Sequence, residues 1–380
     1  LVCGASTQIT MKNSLLIGGG LFGGHCKGNL VQSEIKCRDA DAGLDLNDDS
    51  DILVQKCDIH LGSGVGVRCR GRANGAIEDC DIYKHQLSNI LCKDNCKTSF
   101  FRNKIHHSHD SGVIIVGSQN TTFESNDIYQ NDKHGLIVDH GGGNLQKNTF
   151  RNSKLSGICT RNQSTANITS NFIQGNIEAG ILCEKQAKDT FLKNIIRDNT
   201  GRAGVVCVDA AEPNFQENNI TTNETANVLV ETMANPHFTK NKIISGPTYG
   251  ILIDNKGIGT FGENEVVQNG DSGVMVRGGD PSFTSNTIYR NANCGVEVTA
   301  LGMGKFKENS VLENFSSGFF VYNGGNPDLD KNRVANNKSY GVFVTEKGLG
   351  HYHHNHIHGN LDVNFAVASE STPLVEHNFI

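Results

Sequence analysis

Apolar and polar residues alternate along most of the chain in short stretches, and these stretches return at a nearly fixed interval. Alternation with a period of two and enrichment in β-branched residues predict strands rather than helices. The tripeptide Asn-x-Ile/Val/Phe marks the interval, because its asparagines lie 22 to 24 residues apart. They are Asn103, Asn126, Asn148, Asn171, Asn194, Asn218, Asn241, Asn264, Asn286, Asn309, Asn332, Asn355 and Asn378.

Each repeat has the same internal order. An aromatic residue or leucine lies three residues before the asparagine, and a Gly-Val/Ile-x-Val segment begins nine residues after it, as at Phe283, Asn286 and Gly295. Three short strands per repeat are too few for a propeller blade, which needs roughly 40 residues. They are sufficient for one coil of a parallel β-helix, in which each strand pairs with its equivalent in the next coil. The sequence therefore predicts an all-β solenoid of about 17 coils of 22–24 residues.

The coils predict one continuous domain over residues 1–380, since a coil buries its apolar residues only against its neighbours. Residues 1–56 form irregular N-terminal coils in this prediction, residues 57–380 form regular coils, and two coil types alternate from about residue 210. The sequence stops at Ile380 in the middle of a coil. We expect a capping segment or another chain to cover that end, because an open stack would expose unpaired backbone groups.

The recurring asparagine is predicted to be structural. A stacked amide can donate to the carbonyl group of a neighbouring coil, and asparagine tolerates a left-handed backbone conformation. We therefore assign the thirteen asparagines to a ladder at one corner of the coil and not to a ligand. The glycine that begins each Gly-Val/Ile-x-Val segment suits a corner that needs a positive φ or a close backbone approach.

The prolines carry a second period. Five of the six lie two residues before the core aromatic residue or its substitute, and from Pro236 onward the intervening coils carry Gly-x-Gly, as in Gly257-Ile258-Gly259. This alternation resembles the right-handed, pectate-lyase-like β-helix of the carbohydrate-binding-and-sugar-hydrolase (CASH) repeat family. It is most similar to the β-helical region of F-box substrate receptors, over about residues 210–380. The resemblance implies a protein-binding function in a ubiquitin ligase, although related repeats occur in copper-site maturation proteins and polysaccharide-acting enzymes.

Composition narrows the partners and the location. A net charge of −6 without a basic patch argues against nucleic acid, and no apolar run approaches the 18 or so residues that span a membrane. Several of the twelve cysteines recur at intervals of 23 or 24 residues, as Cys57 and Cys80 do. That spacing predicts stacked, buried and reduced thiols. Reduced thiols in turn predict an intracellular location, cytoplasmic or nuclear.

Three clusters could carry chemistry, and each is more typical of a surface. The acidic segment Asp45–Asp51 could bind Ca²⁺, but it lacks the glycine and distal glutamate of an EF-hand loop, so we predict a solvated loop between coils. The segment His106–Asp110 could supply a base or metal ligands, but it fits a surface loop. The side chains of His354, His356 and His358 are expected to line one outer strip, which we predict to bind no metal tightly.

No catalytic residue, metal site or cofactor is predicted, and the binding residues remain undetermined. The outward residues considered, such as Glu263 and Glu265 or Lys331 and Arg333, do not form a continuous charged column. We therefore favour a non-enzymatic, protein-binding β-helix, with the F-box substrate-receptor function as its specific form. The alternative is a carbohydrate-binding or polysaccharide-modifying β-helix of the lyase or epimerase kind. A cleft lined by acids and exposed aromatic residues would support that alternative.

Overall fold

The computed structural model describes residues 1–380 and contains strands and turns without a helix. No helix long and apolar enough to cross a membrane is therefore found. Fifty strands follow one another in groups of three, and each pairs in parallel with the equivalent strand of the next coil, as Val274 with Val296. We name the three sheets A, B and C in the order in which a coil contributes to them. The predicted parallel β-helix is confirmed.

Contacts divide the chain into two compact units. Unit 1 comprises Leu1–Leu182 and Ala187–Asn194, and unit 2 comprises Cys183–Gln186 and Ile195–Ile380. The single domain predicted for residues 1–380 stays a prediction.

The strands of unit 1, of which β25 ends at the first residue of unit 2, are β1 (Val2–Cys3), β2 (Gln8–Lys12), β3 (Leu15–Ile17), β4 (Gly20–Phe22), β5 (Lys27–Val31), β6 (Glu34–Lys36), β7 (Ala42–Leu46), β8 (Asp51–Gln55), β9 (Asp58–His60), β10 (Val65–Cys69), β11 (Asn74–Glu78), β12 (Asp81–Tyr83), β13 (Ile90–Lys93), β14 (Ser99–Phe101), β15 (Lys104–His106), β16 (Val113–Val116), β17 (Thr122–Glu124), β18 (Asp127–Tyr129), β19 (Leu136–Asp139), β20 (Asn144–Gln146), β21 (Thr149–Arg151), β22 (Ile158–Arg161), β23 (Asn167–Thr169), β24 (Phe172–Gln174), β25 (Ala179–Cys183) and β26 (Thr190–Leu192). The strands of unit 2 are β27 (Ile195–Arg197), β28 (Ala203–Cys207), β29 (Asn214–Gln216), β30 (Asn219–Thr221), β31 (Ala226–Val230), β32 (His237–Thr239), β33 (Lys242–Ile244), β34 (Tyr249–Asp254), β35 (Thr260–Gly262), β36 (Glu265–Val267), β37 (Val274–Arg277), β38 (Ser282–Thr284), β39 (Thr287–Tyr289), β40 (Val296–Thr299), β41 (Lys305–Lys307), β42 (Ser310–Leu312), β43 (Phe319–Val321), β44 (Asp328–Asp330), β45 (Arg333–Ala335), β46 (Val342–Val344), β47 (His351–His353), β48 (His356–His358), β49 (Phe365–Val367) and β50 (Leu374–Glu376).

The core of unit 2 is a stack of equivalent side chains. The middle residue of each sheet B strand points inward, and five consecutive coils place a phenylalanine there, with ring centroids 4.5 to 5.2 Å apart between neighbours. These residues, each almost fully buried, are Phe215, Phe238, Phe261, Phe283 and Phe306. Because a coil exposes this apolar face unless another coil covers it, the stack favours in-register pairing.

The thirteen asparagines lie at the corner between sheets B and C. In unit 2 the amide of Asn286 donates to Asn309 Oδ1 over 2.9 Å, and the backbone N–H of Asn286 donates to the same oxygen over 2.9 Å. Asn309 Nδ2 donates in turn to the carbonyl oxygen of Phe283 over 3.0 Å and to Asn332 Oδ1 over 3.0 Å. The same pattern connects the asparagines from Asn103 to Asn194 within unit 1. Each amide thus satisfies buried polar groups of two neighbouring coils.

The left-handed residue of this corner is the one before the asparagine, which differs from the prediction. Glu308 has a φ of 56° and Ser285 a φ of 57°, whereas the asparagines that follow them have ordinary backbone angles. The glycines of Gly-Val/Ile-x-Val also lack a positive φ. A methyl group on Gly295 would instead lie 2.3 Å from Val311 Cγ1 and 2.8 Å from the Gly318 carbonyl oxygen. Close approach of neighbouring coils therefore requires the glycine.

A second asparagine ladder, which the sequence interpretation missed, lies five residues further along each coil. In unit 2, Asn269 donates to Asn291 Oδ1 over 2.9 Å, and the next three amide-to-amide bonds are 2.9 to 3.0 Å long. They connect, in order, Asn269, Asn291, Asn314, Asn337 and Asn360. In unit 1 the equivalent positions vary, and one of them is the buried His85.

All twelve cysteines are buried. Cys57 and Cys80 occupy the position of the first ladder, where the backbone N–H of Cys57 donates to Cys80 Sγ over 3.4 Å. The backbone N–H of Cys80 donates to Asn103 Oδ1 over 2.9 Å, so the ladder continues through sulfur in the earlier coils. Burial raises the pKa of the Cys37 thiol and that of the Cys294 thiol to about 12, which keeps both protonated.

Candidate functional site

The outward side chains of sheet A form a mostly apolar column in unit 2. The residue between the two apolar positions of each Gly-Val/Ile-x-Val segment points away from the core, since Val274 and Val276 on either side of Met275 are fully buried. In register order the column contains Leu229, Leu252, Met275, Glu297, Phe320 and Phe343. A single carboxyl group therefore interrupts a run of apolar side chains.

Glu297 on β40 is 5% exposed and has neutral hydrogen-bond donors. Its Oε1 accepts from the hydroxyl of Ser272 and, over 3.0 Å, from Asn293 Nδ2. Its Oε2 accepts from the hydroxyl of Tyr322 over 3.3 Å. Burial raises the pKa of Glu297, and the nearby negative charge of Asp271 raises it further. A buried carboxyl group of this kind holds its proton to a higher pH than an ordinary glutamate does.

Asp271 is the second carboxyl group of the site. Asn293 Nδ2 donates to Asp271 Oδ1 over 2.9 Å as well as to Glu297 Oε1, so the two carboxyl oxygens lie no further apart than those two bonds together. The backbone N–H of Ser272 donates to Asp271 Oδ1 over 2.8 Å. One amide group thus holds a buried carboxyl group and a half-buried one side by side.

Aromatic rings stand next to Glu297. The ring of Phe320 lies 4.5 Å from that of Tyr322 and 5.6 Å from that of Phe343, and Tyr340 lies 4.6 Å from Phe343. Together they border a depression of about 210 Å³, lined by Asn293, Cys294, Glu297, Ser316, Ser317, Phe320, Ser339, Tyr340 and Phe343. We call these lining residues, with Asp271, Ser272 and Tyr322, the Glu297 groove.

Two arginines on this face are already paired with carboxylates. Arg277 lies one strand from Glu297 and forms an ion pair with Asp254, while Arg202 forms one with Glu231. Both arginines are therefore neutralised by carboxylates of their own. The carboxyl groups of Asp271 and, once it ionises, of Glu297 bring negative charge to the Glu297 groove, which makes the groove a poor site for a polyanion.

A larger depression, of about 390 Å³, occurs in unit 1 beside Glu34, Asp58, Asp79 and Asp81. Its acids have cationic partners: Glu34 pairs with Lys36 and Asp79 with Arg102. The hydrogen bond from Arg102 holds the pKa of Asp79 below its usual range. These are the properties of a solvated, ion-paired surface, so we assign the candidate site to the Glu297 groove.

Arginines pair with two of the aspartates in the acidic segment Asp45–Asp51. Asp45 lies within β7 and is only 6% exposed, and its carboxylate accepts hydrogen bonds from Arg68 over 2.7 Å and from Arg70 over 3.0 Å. Asp49 pairs with Arg72. The prediction of a solvated loop is therefore wrong for Asp45, because this residue faces outward from a strand and not from a turn.

The segment His106–Asp110 is only partly a loop. His106 ends β15 and stacks between the rings of Tyr83 and Tyr129, at centroid distances of 5.0 and 4.6 Å. Its Nε2 lies 2.8 Å from Asp81 Oδ1, and its Nδ1 lies 2.6 Å from His107 Nδ1. His109 pairs with Asp132 at the surface. The stacked rings expose edges and not faces to solvent, which suits a structural role.

The strip expected from His354, His356 and His358 does not form. His356 and His358 lie on β48 with ring centroids 4.5 Å apart. His354 instead has a φ of 58° and directs its Nδ1 towards Asp330 Oδ1, at 3.4 Å. The left-handed corner before Asn355 turns this side chain away from the other two. That His356 and His358 bind no metal tightly stays a prediction.

The sequence prediction missed the Glu297 groove because its outward columns lie at the corner between sheets B and C and on sheet C, and not on sheet A. The signal is nevertheless present in Gly295-Val296-Glu297-Val298, where a charged residue occupies a position that is Leu229, Leu252 or Met275 in the preceding coils. Asp271, Asn293 and Glu297 come together because neighbouring coils stack in register, which brings residues one repeat apart within reach.

The chain belongs to the right-handed β-helix family, since the family model described as "Right handed beta helix region" matches residues 88–243 and 226–380. A second family model, that of the periplasmic copper-binding protein NosD, matches residues 17–155. Neither is a model of an F-box protein, so the predicted closeness to F-box receptors gains no support. No curated protein matches the chain.

Solved structures with similar architecture are distant. The A-module of the Azotobacter vinelandii mannuronan C-5 epimerase AlgE4 is 13% identical with a TM-score of 0.47, over 87% of this chain and 90% of that one. An alginate lyase from Paenibacillus sp. str. FPU-7 is 13% identical with a TM-score of 0.30, over 87% and 92% of the two chains. The pectate lyase Pel9A is 11% identical with a TM-score of 0.39, over 57% and 62%. Similarities this low transfer neither an activity nor a substrate.

The match to a periplasmic family overturns the predicted intracellular location, which is therefore wrong. The prediction rested on reduced thiols. In this fold, however, the thiols of residues such as Cys37 and Cys294 are reduced because burial shields them and raises their pKa, whatever the redox state of the compartment.

The residues that match the copper-binding family do not assemble a site for that metal. Two groups of three donor atoms lie within 4.8 Å of one another, and both are in unit 2, between Asp328 and His354. Within residues 17–155 the soft donors are buried thiols, and burial raises the pKa of Cys92 well above its usual range. Copper binds the thiolate and not the thiol, so Cys92 does not fit an exchangeable copper ion.

Proposed function

We propose that this protein is a polysaccharide-modifying β-helix that acts outside the cytoplasm, with the Glu297 groove as its active site. One observation carries the proposal: a buried carboxyl group with a raised pKa stands beside a second carboxyl group at the edge of an aromatic-lined depression. Titratable groups pushed to different protonation states are typical of acid–base catalysis. The match to a periplasmic family supports the location.

The two carboxyl groups suit cleavage of a glycosidic bond. Glu297 would donate its proton to the oxygen of the leaving sugar, because burial raises its pKa and so favours the protonated form. Asp271, which accepts hydrogen bonds from a backbone N–H and an amide, would attack the anomeric carbon as that bond breaks, and water would then hydrolyse the resulting bond between the sugar and the enzyme. Retaining glycosidases place their two carboxyl groups about 5–5.5 Å apart, a separation that two hydrogen bonds to one amide allow.

The electrostatics of the groove favour a neutral or amino sugar. Elimination or epimerisation of a uronic acid needs a cation to neutralise the sugar carboxylate, but Arg277 is already paired with Asp254. The groove offers instead aromatic ring edges from Phe320 and Phe343 and hydroxyl groups from Ser316 and Ser339. Apolar and hydroxyl groups together match the mixed surface of an uncharged sugar.

The test is cleavage of polysaccharides by the full chain. We expect new reducing ends from a neutral glucan, mannan or chitosan and none from alginate or pectate. Glu297→Gln should lower the rate by at least about 100-fold, since general acid catalysis contributes about 10² to 10⁴. Glu308→Gln is the matched control, because Glu308 is an exposed carboxylate on another face.

Two results would contradict the proposal. One is an absence of both binding and cleavage across the neutral and acidic polymers. The other is cleavage that Glu297→Gln leaves unchanged. Retained binding of a polysaccharide by Glu297→Gln, with cleavage lost, would support the assignment of Glu297 as the acid.

A further inference from the structure

Three donor atoms meet at the end of β47 in unit 2, away from the Glu297 groove. His353 Nδ1 lies 3.1 Å from His354 Nδ1 and 3.3 Å from Asp330 Oδ1, and His354 Nδ1 lies 3.4 Å from the same oxygen. Zinc binds nitrogen at about 2.0–2.1 Å in a tetrahedron, whose ligand atoms are then about 3.3 Å apart. The three measured separations are those of one face of such a tetrahedron.

The fold explains why these atoms meet. Asp330 ends β44 and His353 ends β47, and the two residues are register partners in sheet B, so both side chains point outward from neighbouring coils. His354 then adopts a φ of 58°, which turns its ring back over the strand end. Two donors therefore come from adjacent strands and the third from the left-handed corner.

A further carboxylate orients the imidazole ring of His353. His353 Nε2 lies 2.9 Å from Asp328 Oδ1, which makes Nε2 the donor and leaves a lone pair on Nδ1 in a neutral ring. A carboxylate behind a histidine is the usual arrangement for fixing the tautomer of a metal ligand.

Without a cation, the lone pair of a neutral His353 would face the Asp330 carboxylate, which is unfavourable. We propose that Asp330, His353 and His354 bind one zinc-class divalent transition ion. Nitrogen donors favour zinc, copper(II) or nickel over calcium and magnesium. His354 is about half exposed, at 53%, so the fourth position is open to water. The ion would connect two neighbouring coils.

Unit 1 contains a natural control. His106 and His107 are also consecutive, His107 has a φ of 53°, and their Nδ1 atoms are 2.6 Å apart. His106 Nε2 likewise faces a carboxylate, that of Asp81, at 2.8 Å. The register partner of His106, however, is Tyr83 and not an acid. This pair has two nitrogen donors and no third ligand, so it should not hold the ion.

The experiment uses untagged full chain and zinc chloride. We expect equilibrium dialysis and calorimetry to give one tightly bound zinc per chain, with a higher melting temperature in its presence. Asp330→Asn preserves the shape of the side chain, and His354→Ala changes a half-exposed one, so both variants should fold. Each should weaken zinc binding at least about 10-fold, whereas His107→Ala and His356→Ala should not.

The proposal fails if no zinc remains after dialysis. It also fails if Asp330→Asn and His354→Ala both bind zinc as the unchanged protein does, or if His107→Ala or His356→Ala removes the ion. Circular dichroism and the melting temperature without zinc identify any variant that has lost its fold. In that case Asp330→Glu, which keeps a carboxylate but displaces it, supplies the same test through a shifted zinc affinity.

Discussion

The two units build the same coil but treat their buried polar groups differently. In unit 2 the second corner ladder is formed by neutral amides, from Asn269 to Asn360, whereas unit 1 has the imidazole of His85 at the equivalent position. On the outward face of sheet A the contrast is reversed, because the carboxyl group without a counter-charge lies in unit 2. Asp45 in unit 1 is neutralised by Arg68 and Arg70. The side chains that donate hydrogen bonds to Glu297 in unit 2 are all uncharged.

This difference separates what stabilises a coil from what gives it chemistry. Amide ladders and ion pairs satisfy polar groups at any ordinary pH, and they can repeat from coil to coil. A buried titratable group without a counter-charge is costly in one protonation state and so makes stability depend on pH. His85 and Glu297 are such groups, and changes at them should affect the two units differently.

The largest effect is expected where both units are alike, in the first ladder. Asn309→Ala removes the acceptor of Asn286 N–H and Asn286 Nδ2, and it also removes the donor to the Phe283 carbonyl group. Three buried polar groups lose a partner at about 1–3 kcal/mol each, while Asn332 Oδ1 loses one of its two donors and keeps the backbone N–H of residue 309. We therefore expect a loss of about 4 kcal/mol in the free energy of unfolding. Urea unfolding measures it.

Asn126→Ala is the matched variant in unit 1, because Asn126 accepts the same two bonds from Asn103. Hydrogen exchange should locate each loss in the unit that carries the change. A cost below about 1 kcal/mol for either variant would mean that water or relaxed coils replace the ladder.

The next effect concerns His85 in unit 1. Burial lowers the pKa of His85 to about 4, so the folded state holds it neutral while the unfolded chain binds a proton below about pH 6.5. Stability is therefore lost as pH falls from about 6.5 to 4, by up to about 3 kcal/mol. His85→Asn, which places an amide there as in unit 2, should flatten this dependence in urea unfolding at several pH values.

The exposed His140 provides the control for His85, since His140→Asn should leave the acid dependence unchanged. If His85→Asn unfolds with the same acid slope as the unchanged protein, another group in unit 1 causes the loss. The imidazole would then be tolerated in its protonated form, and the contrast between the two ladders would disappear.

The ion-paired carboxylate of unit 1 is expected to follow. Burial alone would raise the pKa of Asp45, but hydrogen bonds from Arg68 and Arg70 outweigh it and lower the pKa. Asp45→Asn leaves both arginines without their counter-charge. We expect a loss of about 2 kcal/mol at neutral pH, less than for a fully buried pair because the arginines are partly exposed.

The stability that the ionised Asp45 contributes should be fully present above about pH 4, the pKa of an unfolded aspartate. It should be lost as pH falls through the lowered pKa of Asp45 in the folded protein. Asp49→Asn is the control, since its partner Arg72 is 74% exposed and solvent screens the pair, so the change should cost much less stability than Asp45→Asn does. Equal losses for the two variants would show that burial adds nothing to the pair of Asp45.

The fold could be predicted because its signals are local and repeated. Alternation gives the strands, and the position of Asn286 or Asn309 relative to the core aromatic residue gives the corner. The second ladder was equally visible in the sequence, since Asn314 follows Asn309 by five residues. The prediction missed it because the tripeptide that marks the interval does not include these asparagines.

The candidate sites were harder to predict because they depend on contacts between coils. The direction of the His354 side chain follows from a left-handed backbone angle. A histidine at that position does not by itself predict such an angle. Asn293 holds Asp271 and Glu297 together only because residues about one coil apart stack in register. Sequence spacing can suggest such neighbours, but the protonation of Glu297 depends on how completely the surrounding side chains exclude water.

The smallest effect, and the sharpest contrast with Asp45, is expected for Glu297→Gln. Burial raises the pKa of Glu297, so ionisation above that pKa costs stability, whereas below the unfolded pKa both states are protonated. Relative to the unchanged protein, Glu297→Gln should therefore gain stability as pH rises from about 4 to 8. Glutamine accepts at one oxygen only and loses one of the bonds from Ser272 or Tyr322, which limits the gain to below about 1 kcal/mol.

Thermal unfolding at several pH values measures this gain in stability without a substrate, and so reports the protonation of the proposed acid independently of any cleavage assay. A loss above about 1 kcal/mol at pH 8 would mean that the carboxylate is stabilised by its neighbours as Asp45 is, and a stabilised carboxylate could not serve as a proton donor at neutral pH.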